Sequence, residues 1–110
     1  MIKVEDTIFL VRIWDTAGKD YYDTLYRKYI VQTDCCVLVY DTTCMESWKK
    51  VEEWMKKIKT EYKIRVPICI VGNKIDKESL RRVYRDDVHK FLMYIYMMTC
   101  PVSNRFIFYI

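Results

Sequence analysis

The chain is poor in the residues that bend or interrupt regular structure. Its 110 residues contain only two glycines, two prolines and one histidine. Because glycine and proline specify many turns, their scarcity predicts long regular elements. The two glycines, Gly18 and Gly72, belong to no G-x-x-x-x-G-K-[ST] sequence, so the chain holds no phosphate-binding loop of that type.

Long apolar runs and metal-binding spacings are also missing. No apolar stretch reaches the roughly 18–20 residues that a membrane span needs. The last cysteine, Cys100, does not fit a prenylation box, so we expect no membrane anchor in this chain. Five cysteines without C-x-x-C spacing and a single histidine argue against a zinc site. Reduced cysteines without a signal peptide favour a cytoplasmic location.

The remaining composition is that of a globular protein. Hydrophobic residues make up 52% of the chain and charged residues 31%, which excludes a disordered segment. The length suits a single domain spanning residues 1–110. The net charge of +4 is mild and requires neither nucleic acid nor a membrane as partner. We expect a monomer that binds no nucleic acid.

Hydrophobic periodicity predicts strands that alternate with helices. Residues 2–14 indicate two short antiparallel strands with a turn at Glu5 and Asp6, and residues 19–32 a complete or partial helix. Residues 35–40 and 67–71 are continuous apolar runs, typical of strands buried on both faces of a parallel sheet. Ser47 is a candidate N-cap for a helix that reaches about residue 63, and residues 85–98 form another amphipathic pattern. The order predicts an α/β fold with a mostly parallel sheet flanked by helices.

Two short motifs follow predicted strands. Residues 14–18 read Trp-Asp-Thr-Ala-Gly and residues 73–76 read Asn-Lys-Ile-Asp. Both lie at the carboxyl ends of strands, where open α/β sheets bind ligands. With residues 38–41 (Leu-Val-Tyr-Asp) between them, they resemble the Ras superfamily, closest to its Rab branch, over residues 2 to about 92. The interval between Asp15 and Asn73 is the one that this family uses.

The resemblance implies a guanine-nucleotide site with magnesium and GTP or GDP. Asp15 would hold Mg²⁺ through a water molecule, which suits the oxygen chemistry of that ion, and the Gly18 backbone N–H would meet the terminal phosphate. Asp76 would accept two hydrogen bonds from guanine. Asn73 would contact the other edge of the base and the Lys74 stem would cover it.

Further positions follow from the same resemblance. Ser103 lies where the family has a Ser-Ala-Lys loop that contacts guanine. Tyr21, Tyr22 and Tyr26 lie where the second switch of the family contacts effector or regulator proteins, so we expect a partner surface there.

The chain also departs from the family pattern. The phosphate loop and the first switch would precede Met1, and the closing helix of the fold does not follow residue 105. Lys19 replaces the family's catalytic glutamine and has no acceptor with which to orient water. We therefore interpret residues 1–110 as a partial small-GTPase domain with a truncated P-loop-NTPase-type (Ras-like) fold. We expect weak nucleotide binding, negligible hydrolysis, and a parent function in vesicle traffic or signalling.

Two alternatives remain open at this point. Instead of an impaired nucleotide switch, the chain would be a non-enzymatic interaction module that uses the second-switch surface, or an incomplete gene product.

The missing N-terminal part also has a structural consequence. In this family a strand lies between those that end at Trp14 and Tyr40, so its loss would leave open edges and an uncovered apolar face. Residues 106–110 are apolar and favour a strand. We hypothesise that they fill part of this gap.

Overall fold

The structure is a computed structural model that describes residues 1–16, 23–62, 65–98 and 105–109. Five strands and three α-helices are described, together with a π-helical turn at Lys57–Glu61 and a 3₁₀-helix at Ile75–Leu80. In chain order the strands and α-helices are β1 (Ile2–Val4), β2 (Thr7–Phe9), α1 (Asp23–Ile30), β3 (Cys36–Asp41), α2 (Met45–Lys56), β4 (Ile68–Asn73), α3 (Arg85–Met98) and β5 (Arg105–Tyr109). None of the helices described is long and apolar enough to cross a membrane.

A three-stranded parallel sheet forms the centre of the fold. Its strand order is β3-β4-β5, and Tyr40 pairs with Gly72 in a register that places Asp41 beside Asn73. Parallel neighbours need a long crossover connection, and α2 provides it between β3 and β4. The predicted α/β fold with a parallel sheet is therefore confirmed.

Helix α2 covers one face of this sheet. Trp48, Val51, Met55 and Ile58 are buried because they recur at the three- and four-residue spacing of a helix face. The Trp48 ring meets the Tyr40 ring edge-on, with 5.0 Å between centroids. Together with residues of β4 and α3 they form the apolar core.

The predicted N-cap of α2 is wrong. The helix begins at Met45 with Cys44 as its N-cap, and no side chain caps it. The Ser47 hydroxyl instead donates to the Cys44 carbonyl at 2.7 Å and accepts from the Asp41 N–H at 2.9 Å. Ser47 therefore joins the first turn of α2 to the end of β3. The π-helical turn at Lys57–Glu61 extends the helix towards its predicted end.

The N-terminal strands form a separate antiparallel sheet. β1 pairs with β2 through Val4 and Thr7, and Glu5 in the turn has φ = 53°, so the predicted hairpin is confirmed. The predicted second strand is too long, because β2 ends at Phe9 and residues 10–16 are irregular. The Trp14 ring stacks on Tyr29 of α1 at 4.9 Å between centroids, and so ties this segment to α1.

The C-terminal strand does not fill the predicted gap. β5 pairs with β4 in parallel, with Ile107 beside Ile70, on the side of β4 away from β3. The hypothesis that residues 106–110 lie beside β3 is therefore wrong. Within the described strands, β3 remains an edge, and on it Val37 and Val39 are 57% and 56% exposed. The expected uncovered apolar face is present.

Candidate functional site

The candidate site lies at the carboxyl edge of the parallel sheet. Because β3 and β4 end in register at Asp41 and Asn73, the loops that follow them leave the sheet side by side. The Thr42 N–H donates to the Asn73 carbonyl at 3.0 Å. This bond extends the backbone hydrogen bonding between β3 and β4 by one residue beyond the strands. The loop after β4 leads through Lys74 directly into the 3₁₀-helix.

Lys74 makes the turn at the end of β4 in a left-handed conformation, with φ = 65° and ψ = 39°. This conformation is sterically unfavourable for a residue with a side chain, and local hydrogen bonds offset the cost. The Lys74 N–H donates to the Asn73 Oδ1 atom at 2.7 Å. The Lys74 carbonyl accepts from the Thr42 hydroxyl at 3.3 Å and from the Lys77 N–H at 3.1 Å. These bonds fix the backbone where the loop leaves β4.

The Lys74 side chain forms an ion pair with Asp41, and 2.7 Å separate Nζ from Oδ2. The other carboxylate oxygen, Oδ1, accepts from the N–H and the hydroxyl of Thr43 at 2.8 and 2.6 Å. The hydrogen bond from Lys74, followed by those from Thr43, lowers the pKa of Asp41 from 3.8 to about 2. Reciprocally, Asp41 raises the pKa of Lys74. Both groups are charged over the whole physiological range.

Thr42 anchors the segment that follows the 3₁₀-helix. Its side chain is buried, with 1% exposed, and its carbonyl accepts from the N–H groups of Arg82 and Val83 at 2.8 and 3.0 Å. Val83 is itself fully buried in the core. The loop between Lys74 and Val83 is therefore held at its start by Lys74 and at its end by Thr42.

Sequence reasoning missed the parts played by Asp41 and Thr42. The signal was present, because Asp41 follows the apolar run at residues 35–40 and Asn73 comes just after the run at residues 67–71. Parallel pairing in that register places the two residues side by side. The resemblance included Asp41 within residues 38–41 but assigned it no role beside residues 73–76.

The structure places the remaining candidate residues as follows. Asn73 and Asp76 are exposed, and Asp76 lies in the first turn of the 3₁₀-helix. Asp15 is exposed in the irregular segment after β2. No hydrogen bond or ion pair described joins Asp15 to the loop at residues 73–76, and the two follow different sheets. Tyr26 lies in α1, whereas Gly18, Lys19, Tyr21, Tyr22 and Ser103 lie outside the described residues.

Both sequence motifs fall within one match to a known family. The sequence model of the Ras family matches residues 1–104. The chain belongs to the Ras family. This confirms the family resemblance stated for residues 14–18 and 73–76.

Similar proteins place this Ras-family chain near the Rab branch, as predicted. It is 36% identical over 90 residues to Ras-related protein RABA1f of Arabidopsis thaliana, covering 82% of the chain and 42% of that protein. It is 31% identical over 96 residues to the Ypt/Rab-type GTPase ypt71 of Schizosaccharomyces pombe, covering 84% and 45%. With Ras-related protein Rab-21 of Mus musculus the identity is 41% over 71 residues, covering 64% and 32%. The chain thus spans less than half the length of these curated relatives.

Proposed function

We propose that this Rab-like chain is a small GTP-binding protein that recognises the guanine base through the loop at residues 73–76. The observation that carries the proposal is the fixed left-handed turn at Lys74, held by Asn73, Thr42 and Asp41. A loop whose backbone is already ordered loses little conformational entropy when a ligand binds. The turn leaves the side chain of Asp76 exposed just beyond it.

The chemistry of Asp76 suits guanine. A carboxylate offers only acceptors, and guanine presents a ring N–H and an exocyclic amine side by side, whereas adenine offers no matching pair of donors. Hydrogen bonds to a charged group contribute about 1.5–3 kcal/mol each, enough for strong discrimination between the bases. The amide nitrogen of Asn73 is a further donor for the opposite edge of the base.

For residues 1–110 taken alone, we propose that the phosphates and the metal bind more weakly than they would beside a phosphate loop. Asp15 carries an exposed carboxylate, which fits the preference of Mg²⁺ for oxygen ligands and water, and Gly18 and Ser103 remain proposed nucleotide contacts. No residue of the chain supplies the lysine and the backbone cradle of a phosphate loop. Lys19 has no acceptor to orient a water molecule. We therefore propose nucleotide binding with negligible hydrolysis.

The proposal is tested by binding of fluorescent GDP and GTP analogues to residues 1–110 in the presence of Mg²⁺. Unlabelled GDP should displace the analogue and unlabelled ATP should not. Asp76→Asn replaces one carboxylate oxygen by an amide donor, so binding of the guanine analogue should fall at least about tenfold. Xanthine carries a carbonyl where guanine has its amine, and xanthosine diphosphate should therefore compete better in this variant.

Asp34→Asn is the matched control, because Asp34 is an exposed carboxylate outside the loop and its loss should leave binding unchanged. Equal competition by ATP and GDP would contradict the proposal. Absence of binding by a chain that circular dichroism shows to be folded would also contradict it, and would favour the interaction-module alternative.

A further inference from the structure

Thr42 contacts both ends of the loop that follows β4. Its N–H donates to the Asn73 carbonyl at 3.0 Å, where the strand ends. Its carbonyl accepts from the N–H groups of Arg82 and Val83 at 2.8 and 3.0 Å, at the far end of the loop. All three bonds join backbone atoms, so they hold Thr42 in place whatever its side chain does.

The hydroxyl of Thr42 adds a bond to the turn at the start of this loop. It donates to the Lys74 carbonyl at 3.3 Å, its one partner among the residues that the structure describes. Thr42 is only 1% exposed, so water does not replace this partner, and a buried hydroxyl without an acceptor is unfavourable. The hydroxyl therefore remains bonded to the residue whose backbone is left-handed.

The left-handed turn at Lys74 depends on the hydrogen bonds that its backbone makes. Its N–H donates to the Asn73 side chain at 2.7 Å. Its carbonyl accepts from the Thr42 hydroxyl and from the Lys77 N–H. Because a left-handed backbone is unfavourable for a residue with a side chain, loss of the Thr42 bond shifts the loop towards other conformations. The carbonyl stays paired through Lys77, so no buried polar group is left without a partner.

We propose that Thr42 is a positioning residue for guanine binding. Its hydroxyl keeps Lys74 in the turn from which Asn73 and Asp76 reach the base. The inference rests on the proposed function, because it concerns the residue that orders the same loop. When the binding conformation is populated only part of the time, the apparent affinity falls by that fraction. Thr42 therefore raises the affinity through the Lys74 backbone, without contacting the nucleotide itself.

Binding of the fluorescent GDP analogue to Thr42→Val and Thr42→Ser tests the proposal. Valine replaces the hydroxyl by a methyl group in a buried position and keeps the backbone bonds. We expect the affinity of Thr42→Val for the analogue to fall about fivefold, the effect of one neutral hydrogen bond, whereas its urea midpoint of unfolding stays close to that of the wild type. Thr42→Ser keeps the hydroxyl but loses a buried methyl group, so it should bind as the wild type does and unfold at lower urea. Affinity and stability should thus change in different variants.

The turn itself is followed without nucleotide by hydrogen exchange of the Lys77 N–H, whose acceptor is the Lys74 carbonyl. This exchange should be faster in Thr42→Val than in the wild type. Thr60→Val is the matched control, because the Thr60 hydroxyl also donates to a backbone carbonyl, that of Lys56 at 2.7 Å, away from the loop. Its affinity for the GDP analogue should equal that of the wild type.

The outcomes separate this inference from the proposed function. If Thr42→Val bound the GDP analogue as tightly as the wild type, the positioning role would be overturned and the proposed function would stand. If the folded wild type bound no GDP analogue, both would be overturned. If the affinities of Thr42→Val and Thr42→Ser fell in proportion to their stabilities, Thr42 would support only the fold, which would also overturn the inference.

Discussion

At the scale of single residues, the pairing of Asp41 with Lys74 connects the ends of two strands. The ion pair spans 2.7 Å, and the side chains of Lys74 and Asp41 are 45% and 24% exposed. Exposed ion pairs alone stabilise proteins little. This one also joins the adjacent ends of β3 and β4, and so it contributes chiefly to the geometry of the loop at residues 73–76.

The ion pair predicts a pH-dependent stability. Because Asp41 has a lower pKa in the folded chain than its ordinary value of 3.8, its charge stabilises the fold above pH 3.8. That contribution is lost as the pH falls towards about 2. Lys74→Met should therefore lower the urea midpoint of unfolding at neutral pH. The difference in urea midpoint between this variant and the wild type should become smaller as the pH falls from 3.8 to about 2.

Lys77→Met is the control, since Lys77 is an exposed lysine of the adjacent 3₁₀-helix and its side chain has no ion pair among the described residues. Its urea midpoint should follow that of the wild type at every pH. A difference between the wild type and Lys74→Met that is independent of pH would show that the ion pair does not determine the stability change.

At the scale of elements, Ser47 joins strand to helix rather than capping the helix. Its hydroxyl bonds to Asp41 at the end of β3 and to Cys44 before α2. Sequence pattern suggested a cap, because serine near a helix start usually has that role. The helix begins at Met45, three residues before the start that Ser47 as N-cap would give, so Ser47 lies within the first turn, where its side chain reaches the strand. Ser47 therefore makes a tertiary contact between β3 and α2 instead of a local helix cap.

Ser47→Ala should destabilise the chain by about 1–3 kcal/mol, because the Asp41 N–H would lose its acceptor in a partly buried position. Urea unfolding followed by tryptophan fluorescence measures the change. Ser47→Thr keeps the hydroxyl and should retain most of the stability. Ser79→Ala removes a hydroxyl from an exposed serine and should have little effect. If Ser79→Ala lost as much stability as Ser47→Ala, the bond between the Asp41 N–H and the Ser47 hydroxyl would not explain the effect.

At the scale of the whole molecule, the described core is built from one part of the chain. Its buried members lie between Tyr40 and Ile95, on β3, α2, the π-helical turn, β4, α3 and the segment before α3. The hairpin of β1 and β2 contributes none of them, and its apolar residues are largely exposed, with Ile8 at 66% and Phe9 at 49%. Stability should therefore depend on the parallel sheet and its helices far more than on the N-terminal hairpin.

Two substitutions compare these parts directly. Met55→Ala removes a side chain with no exposed surface and should cost about 2–5 kcal/mol, because it leaves a cavity. Phe9→Ala should cost less than about 1 kcal/mol, because much of that ring is already in contact with water. Urea unfolding at equilibrium measures both changes. A cost for Phe9→Ala equal to that for Met55→Ala would mean that the hairpin packs on the core in solution.

The sequence alone determined the family and most of the local elements. The periodic pattern over residues 85–98 predicted α3 with the bounds that the structure gives it, and the apolar runs predicted β3 and β4. The motifs at residues 14–18 and 73–76 identified the Ras family because spacing and residue type are properties of the chain itself. Helix and strand periodicity depend on neighbours within a few positions, which is why they can be read without a fold.

Tertiary structure alone decided which distant residues meet. It placed β5 beside β4 rather than beside β3 and paired Lys74 with Asp41. It also left Val37 and Val39 exposed on a strand whose sequence is typical of a fully buried one. The continuous apolar run of β3 is typical of a strand that is buried on both faces. Whether a covering layer lies on each face depends on residues far away in the chain, so the run alone does not decide it.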